Sequence, residues 1–298
     1  MSLDPIDWED QRAFLAVLEY GSLSAAARRL GVAQPTVRHR IEALERALGA
    51  PLFTRATSGL VPTEQAQLLG QHVRTMAHAS QAFVRAASAP VGEIAGTVRI
   101  SAAEMVGVEV LPPMLAGLRR RYADLAVELS LSNAGEDLLG QQVDVAVRMY
   151  RPDQAALVAR RVGVIPIGFF AHRAYAERRG LPASLEELVR FDLIGPDRDI
   201  ADLRLASALH PAFVRRAAAL RMDSHPGQLA AIRAGFGIGA THIAIGRREP
   251  DLVAVLPGFV IHRYESWIVM HEDLKRLARV RAVFDHLVEQ FLGYADPD

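Results

Sequence analysis

The side chains with the clearest chemistry lie between residues 34 and 40, in the segment Gln-Pro-Thr-Val-Arg-His-Arg. Guanidinium groups form forked hydrogen bonds with guanine edges or phosphate oxygens. Over residues 28–55, six Arg and two Glu leave a local charge of +4, whereas the whole chain has a formal net charge of 0. This segment predicts one localised nucleic-acid contact, although the same pattern is also typical of a solvated helix face.

The helix that must carry these side chains is the third of three predicted near the N-terminus. Its inward-facing residues recur at helical spacing: Val37, Ile41, Leu44 and Leu48. Pro35 suits a first helical turn, because the N–H group that it lacks would be unpaired there. The first helix is predicted over Asp7–Tyr20, and the second begins near Ser22 or Ser24 and ends at Gly31.

A small hairpin is predicted after the third helix. Leu52-Phe53 is an apolar pair, Arg55 follows in the first strand near the phosphate backbone, and Ser58-Gly59 forms the turn. Two short helices with a tight turn and a following hairpin are typical of a winged helix-turn-helix, which lays one helix in the DNA major groove. The residues predicted to contact DNA are Ser24, Gln34, Pro35, Thr36, Arg38, His39, Arg40 and Arg55.

A long helix is predicted from Thr63, a plausible cap, to about residue 87. Its apolar stripe comprises Ala66, Leu69, Val73, Met76, Ser80, Phe83 and Val84. A lone helix between two domains has nothing of its own to bury such a stripe against. We therefore expect a second subunit to pair with it, through Leu69, Val73, Met76 and Phe83. The alternative is packing on the N-terminal domain of the same chain.

From Gly96 onward, strand and helix patterns alternate, which predicts an α/β unit with a mainly parallel sheet. Strands are expected near 97–101, 127–132, 143–148, 165–171, 192–194, 220–222, 239–245 and 266–270, and helical segments before 122 and over 136–142, 226–234 and 274–291. Ligands of such sheets bind beyond the C-terminal strand ends. That rule selects Ser101, Ala103, Glu104, Asn133, Arg148, Ser224 and His225 as effector-binding candidates. Thr241 is a further candidate, because it lies on a strand that is expected to cross between the lobes.

Each of these candidates also has a purely structural interpretation. Ser101 and Ser224 could cap helices, and Glu104 could complement a helix dipole from the first turn. Asn133 could make its own turn, and Arg148 could form a structural ion pair.

Residues 6–64 resemble the N-terminal domain of bacterial LysR-type transcriptional regulators. The resemblance rests on motifs such as Ala25-Ala26-Ala27, Gln34-Pro35, Leu44-Glu45, Leu48-Gly49, Leu52-Phe53 and Pro62-Thr63. Residues 96–291 resemble the effector-binding domain of the same family, at Gly96–Ile100, Leu111-Pro112, Asp144–Arg148, Gly235–Gly239 and the Trp267 strand. Three positions depart from the family pattern. Ala33 replaces a capping Ser, which should cost about 1 kcal/mol, Arg38 replaces a Ser, and Ser58 replaces a wing Arg.

The resemblance implies a multidomain architecture. It comprises an all-α winged helix-turn-helix domain over 1–62, a linker helix and hinge over 63–94, and a two-lobed, periplasmic-binding-protein-like α/β effector domain over 95–298. Lobe I is expected to comprise 95–163 and 266–298, and lobe II 164–265.

The function implied is that of a ligand-responsive, sequence-specific transcription regulator. Its expected partners are double-stranded DNA with a partly palindromic operator, an unknown small-molecule effector, RNA polymerase, and further copies of the chain in a dimer and a tetramer. No cofactor and no metal are expected. The alternative is a cytoplasmic small-molecule-binding module whose N-terminal domain makes protein contacts.

Other classes are disfavoured by what the sequence lacks. There are no cysteines, and the apolar runs 162–171 and 252–261 are shorter than the ~20 residues of a membrane span. The first residues lack the apolar core of a secretory signal, so we expect a cytoplasmic protein without membrane association. Lys275 is the only lysine and follows no Gly-rich loop, and no Gly-x-Ser-x-Gly or His-Glu-x-x-His motif occurs. We therefore expect no enzymatic activity.

Overall fold

The structure, a computed structural model, describes residues 6–56, 59–87, 90, 92–133, 143–152, 156–210, 213 and 218–295, without the side chains of residues 55, 56 and 86. The chain forms two compact units, of which the first extends to Val84 and the second begins at Arg85. Among the described residues, no helix is both long and apolar enough to cross a membrane.

The first unit contains three short helices, a hairpin and a long helix. They are α1 (Trp8–Tyr20), α2 (Leu23–Leu30), α3 (Gln34–Leu48), β1 (Phe53–Ala56), β2 (Gly59–Pro62) and α4 (Glu64–Ala86). Ser22 caps α2 by accepting a hydrogen bond from the Ala25 N–H group, and Gly31 makes the following turn at φ +69°. Ala33 gives α3 no side-chain cap, as its residue type predicts. The helices therefore begin and end close to the predicted positions.

The long helix α4 corrects the expectation that its stripe is free for a partner. Thr63 caps it, since its hydroxyl oxygen accepts from the Ala66 N–H group at 3.2 Å. Val73 is only 7% exposed and Leu69 is half-buried, because both pack on the core formed by α1 and α3 of the same unit. Farther along, Met76 and Phe83 are 45% and 77% exposed. The N-terminal part of α4 therefore packs on its own chain, which was the alternative interpretation. The apolar residues of the stripe that stay exposed lie in its C-terminal part.

The second unit is built on one mixed sheet. Its elements are β3 (Gly96–Ala102), α5 (Glu104–Glu109), α6 (Leu111–Arg121), β4 (Leu125–Leu131), β5 (Val145–Arg148), β6 (Leu157–His172), α7 (Arg173–Arg179), β7 (Leu193–Gly195), α8 (Ile200–Leu209), β8 (Ala218–Arg221), α9 (His225–Arg233), β9 (Ile238–His242), α10 (Ile243–Arg248), β10 (Leu252–Val255), β11 (His262–His271) and α11 (Ala278–Leu292), with short 3₁₀ helices at Glu186–Arg190 and Glu272–Arg276. The strand order is β4-β3-β5-β11-β6-β9-β7-β8, and β10 also pairs with β6.

Two long antiparallel strands, β6 and β11, connect the two ends of this sheet. Strands β3, β4 and β5 are parallel on one side, and β7, β8 and β9 are parallel on the other. The register of β11 against β6 shifts between Ser266 and Trp267. The sequence analysis divides the two lobes at this position, and that division stays a prediction.

Several elements of the second unit differ from the sequence predictions. The strand predicted over 239–245 ends at His242, where α10 begins, and α7, α8 and β10 were not predicted. The helical turn predicted over 136–142 lies outside the described residues. Gly235 to Gly239 form the helix-to-strand turn that was expected, and a side chain at Gly237 would place its Cβ 1.9 Å from the Asp192 carbonyl oxygen. This close approach explains why a glycine occupies the turn.

Candidate functional site

The first candidate site is the N-terminal face of α3. Val37, Ile41 and Leu44 are at most 6% exposed and hold one side of this helix on the core. The opposite side leaves a contiguous polar surface exposed, formed by Gln34, Pro35, Thr36, Arg38 and His39. Apart from Pro35, these are hydrogen-bonding side chains, and they lie at the end of the helix that usually enters the major groove.

Arg40 differs from its neighbours on α3. Its guanidinium lies 3.0 Å from the Glu9 carboxylate of α1, and its side chain is only 22% exposed. The sequence analysis placed it outward because helical spacing alone shows no partner on another helix. In the structure Arg40 ties α3 to α1, so the outward-facing cation of this face is Arg38.

Glu45 holds the hairpin against α3, a role that the sequence analysis did not assign. Its carboxylate accepts from the backbone N–H groups of Leu52 and Phe53, at 2.7 Å and 3.3 Å. The strand β1 therefore starts at a fixed position beside the helix. Arg55 pairs with Leu60 in this hairpin, whereas its side chain and Ser58 lie outside the described residues. Ser24 is exposed on α2 and does not cap it.

The second candidate site is a cavity of about 370 Å³ in the second unit, which we call the strand-end cavity. It lies beyond the C-terminal ends of β3, β4, β5, β7 and β9, and is lined there by Ala103, Ser132, Asn133, Arg148, Met149, Gly195, Pro196, Thr241 and His242. The strand-end rule therefore selects the edge of the sheet at which this cavity lies. Five of the eight predicted effector-binding residues line it: Ala103, Asn133, Arg148, His225 and Thr241.

The other three predicted residues do not line the cavity. Ser101 is buried and accepts a hydrogen bond at 3.0 Å from the guanidinium of Arg148. Ser224 caps α9 and donates to the carboxylate of Glu104 at 3.3 Å. Both serine side chains therefore form hydrogen bonds within the protein. For Ser224 this is the helix cap that its structural interpretation predicts. Asn133 also has a structural contact, because its side-chain oxygen accepts from the Glu104 N–H group at 3.1 Å.

His225 and Asp202 form a hydrogen-bonded pair in the wall of the cavity. The His225 Nε2 atom lies 2.7 Å from an Asp202 carboxylate oxygen, and this contact raises the pKa of His225 above its ordinary value. Asp202 lies on α8, whose N-terminus is capped by Asp199. The loop before α8 is fixed by Asp223, which accepts from three successive backbone N–H groups at 2.8–3.0 Å. The sequence analysis missed Asp202 because α8 itself was not predicted.

Thr241 and His242 are adjacent buried polar residues on β9. The Thr241 hydroxyl is buried without a hydrogen-bond partner among the described residues. Burial lowers the pKa of His242 to about 4, so its ring is neutral at pH 7. Its Nδ1 atom lies 3.0 Å from the hydroxyl oxygen of Tyr294, and burial raises the pKa of that tyrosine. The cavity therefore combines one unsatisfied hydroxyl with uncharged imidazole.

Metal chemistry has no apparent site here. Within the described ranges, no group of three His, Cys, Asp or Glu side chains is arranged to hold a metal ion.

Comparison with known families decides the identity of this arrangement. The family profile described as "Bacterial regulatory helix-turn-helix protein, lysR family" matches residues 8–67, and the profile described as "LysR substrate binding domain" matches residues 92–292. The chain belongs to the LysR family of transcriptional regulators. This LysR-type regulator thus combines a DNA-binding helix-turn-helix domain with an effector-binding domain.

Curated relatives of this LysR-type regulator are also named as transcriptional regulators. It is 32% identical over 186 residues to an HTH-type transcriptional regulator of Xanthomonas campestris pv. campestris, covering 61% of this chain and 53% of that protein. It is 25% identical over 295 residues to the probable HTH-type transcriptional regulator LtrA of Klebsiella pneumoniae, covering 94% and 93%. The match therefore spans about half of the first relative and nearly all of the second.

Solved structures share the fold of this LysR-type regulator. The LysR family transcriptional regulator CbnR superposes with a TM-score of 0.68 at 20% identity, covering 97% of this chain and 100% of that one. A second structure of CbnR, in complex with its target DNA, gives a TM-score of 0.66 at 19% identity, covering 96% and 99%. At these identities the likeness concerns the fold alone.

Proposed function

We propose that this LysR-type regulator recognises its operator through the exposed N-terminal face of α3, with Arg38 as the principal base-contacting side chain. The proposal rests on a difference between the polar side chains of α3. Arg40 is paired with Glu9, whereas Gln34, Thr36 and Arg38 are exposed on the same helical end. CbnR, which shares this fold, binds its target DNA in its solved complex.

The test is binding of the purified full chain to the DNA directly upstream of its gene, measured by fluorescence anisotropy at two salt concentrations with excess random DNA. Arg38→Ala should raise the dissociation constant by about 5- to 150-fold, because an arginine in contact with a base contributes about 1–3 kcal/mol. Arg46→Ala is the matched control, since Arg46 is exposed two turns farther along the same helix. Its effect should stay below about threefold.

Equal effects of Arg38→Ala and Arg46→Ala would contradict recognition by the N-terminal face of α3. Binding that random DNA competes away, and that neither variant alters, would favour the alternative in which the N-terminal domain makes protein contacts. A steep salt dependence common to all variants reports phosphate contacts only, because counterion release is independent of sequence.

The strand-end cavity is the binding site of a small-molecule effector. Its volume of about 370 Å³ and its mainly apolar lining with a few polar groups are typical of small-molecule sites. An effector alters DNA binding only insofar as it binds one arrangement of the chain more tightly than another.

Self-association is the remaining part of the proposal. An exposed apolar stripe on the C-terminal part of α4, formed by Met76, Phe83 and Val84, supports pairing of two copies along this helix. A two-fold dimer would place two α3 helices on inverted half-sites, so a partly palindromic operator follows. The tetramer, the contact with RNA polymerase and the cytoplasmic location stay predictions from the family resemblance.

A further inference from the structure

The lining of the strand-end cavity is apolar over most of its surface. Strands β6, β7 and β9 contribute Ile167, Phe169, Ile194 and Ile238, and α8 contributes Leu205 and Leu209. Water in such a cavity finds few hydrogen-bonding partners, so an apolar ligand gains free energy by replacing it. At about 370 Å³ the cavity is near the lower end of the range for small-molecule sites, which is roughly 300–1,000 Å³. A ligand of one or two rings fits this volume.

The charged side chains that line the cavity in the described part of the chain already have protein partners. The Arg148 guanidinium donates to Ser101 at 3.0 Å, and Asp202 lies 2.7 Å from His225. Asp199 accepts from the backbone N–H groups of Ala201 and Asp202 at 2.9 Å and 3.0 Å. An ionised ligand would therefore lose its hydration in a mainly apolar site, and it would compete for charged groups that are already hydrogen-bonded to protein atoms, which is costly.

The carboxylates of Asp202 and Asp199 would both repel a bound anion. Asp202 and Asp199 both contribute to the raised pKa of Tyr264, which also lines the cavity, although burial contributes more. At the position of the Tyr264 hydroxyl, these carboxylates therefore disfavour a further negative charge.

One polar group in the lining has no partner within the described residues. The hydroxyl of Thr241 is buried, and the residue is 2% exposed. Buried polar groups are rarely left without a hydrogen bond, because an unpaired group loses the interaction that it had with water. A hydroxyl can both donate and accept, so it suits a ligand hydroxyl or carbonyl group.

From these observations we infer that the strand-end cavity binds an uncharged, mainly apolar molecule of one or two rings, whose single hydroxyl or carbonyl group forms a hydrogen bond with Thr241. This inference rests on the proposed function, in which the cavity is the effector site. It adds the chemical class of the effector and names the residue that recognises its polar group.

The experiment uses isothermal titration calorimetry of the full chain at pH 7.5 with three probes that share one ring system. They are 2-naphthol, which is neutral, 2-naphthoate, which is an anion, and 2-naphthylmethylammonium, which is a cation. We expect 2-naphthol to bind with a dissociation constant at least about tenfold lower than either charged probe.

Two variants connect this binding to the cavity. Thr241→Val keeps the shape of the side chain without its hydroxyl, and it should raise the dissociation constant for 2-naphthol by about tenfold. Ala206→Trp fills the cavity from α8, where Ala206 lines it, and should abolish binding of every probe. Far-ultraviolet circular dichroism and thermal unfolding establish that both variants are folded.

The outcomes separate this inference from the proposed function. Tighter binding of 2-naphthoate that Ala206→Trp abolishes would overturn the neutral class and leave the cavity as the effector site. An unchanged affinity of Thr241→Val for 2-naphthol would overturn the role of the hydroxyl. If no probe binds while the operator is still bound specifically, the inference fails and DNA recognition stands.

Discussion

His242 is a buried side chain whose protonation is altered by its surroundings. It is 5% exposed on β9, and burial lowers its pKa to about 4, with smaller contributions from the positive charges of His225 and Arg248. The Tyr294 hydroxyl oxygen lies within hydrogen-bonding distance of its Nδ1 atom, at 3.0 Å. The second unit therefore contains a histidine that is neutral when folded and protonates near pH 6.5 when unfolded.

The first prediction is a pH dependence of stability caused by His242. The unfolded chain binds the proton more tightly, so the contribution of His242 is fully present above about pH 6.5 and decreases as the pH falls toward 4. Between pH 7.5 and 5 it should remove about 2 kcal/mol from the free energy of unfolding. In His242→Gln, which cannot titrate, this part of the pH dependence should disappear.

The measurement is urea unfolding followed by tryptophan fluorescence. The chain has 2 tryptophans, Trp8 and Trp267, so a Trp8→Phe background reports the second unit alone. His262→Gln is the control, because His262 is exposed on β11. A His242→Gln variant with the same pH dependence as the parent would contradict a buried, neutral imidazole.

At the scale of elements, α5 is joined to α9 and α10 by an ionic cluster. Glu109, at the end of α5, accepts from Arg233 of α9 at 2.7 Å and 2.8 Å and from Arg248 of α10. Arg233 also pairs with Glu249. The Glu109 side chain is only 10% exposed, and its hydrogen bonds with Arg233 keep the pKa of the carboxyl group below its ordinary value.

The second prediction concerns this cluster. Glu109→Gln should lower the free energy of unfolding of the second unit by about 1–3 kcal/mol, since two guanidinium groups lose a largely buried carboxylate. Glu128→Gln is the matched control, because its pair with Arg99 is exposed, and such pairs contribute about 0–1 kcal/mol. Urea unfolding followed by Trp267 fluorescence compares them. Equal losses would show that the cluster contributes no more than a surface ion pair.

At the scale of the whole molecule, the exposed surface of α4 is the one proposed for self-association. Its N-terminal part is used within the chain, where Val73 packs on the first unit. The residues Leu68, Met76, Phe83 and Val84 are 60%, 45%, 77% and 65% exposed. Exposed apolar side chains of this size, repeated along one helix, are typical of an interaction surface.

The third prediction is that Phe83→Asp disrupts the dimer. A carboxylate in the apolar interface should raise the dimer dissociation constant by more than about 30-fold, because the charge loses its hydration there. Gln81→Asp is the control, since Gln81 is exposed on the same helix but lies about 160° around it from Phe83. Sedimentation velocity measures the oligomeric state. If Phe83→Asp remains dimeric at the concentration at which the parent is, pairing along this stripe is wrong.

The sequence by itself determined the elements whose signals are local. Ser22, Gly31 and Pro35 indicate where α2 and α3 begin and end, and the period of Val37, Ile41 and Leu44 indicates the buried face of α3. These signals act within one or two helical turns, so they can be recognised without knowing the fold. The same holds for the edge of the sheet at which the cavity lies, because it follows from strand direction.

Only the tertiary structure decided which polar side chains are free and which are already paired. Arg40 has the same local pattern as Arg38, yet Glu9 of another helix pairs with it. Asp202 and His225 are 23 residues apart, and Ser101 and Arg148 are 47 apart. That Thr241 has no hydrogen-bond partner among the described residues likewise depends on which neighbours the fold brings near it. Such partners leave no periodic trace in the sequence, because they are set by which elements pack together.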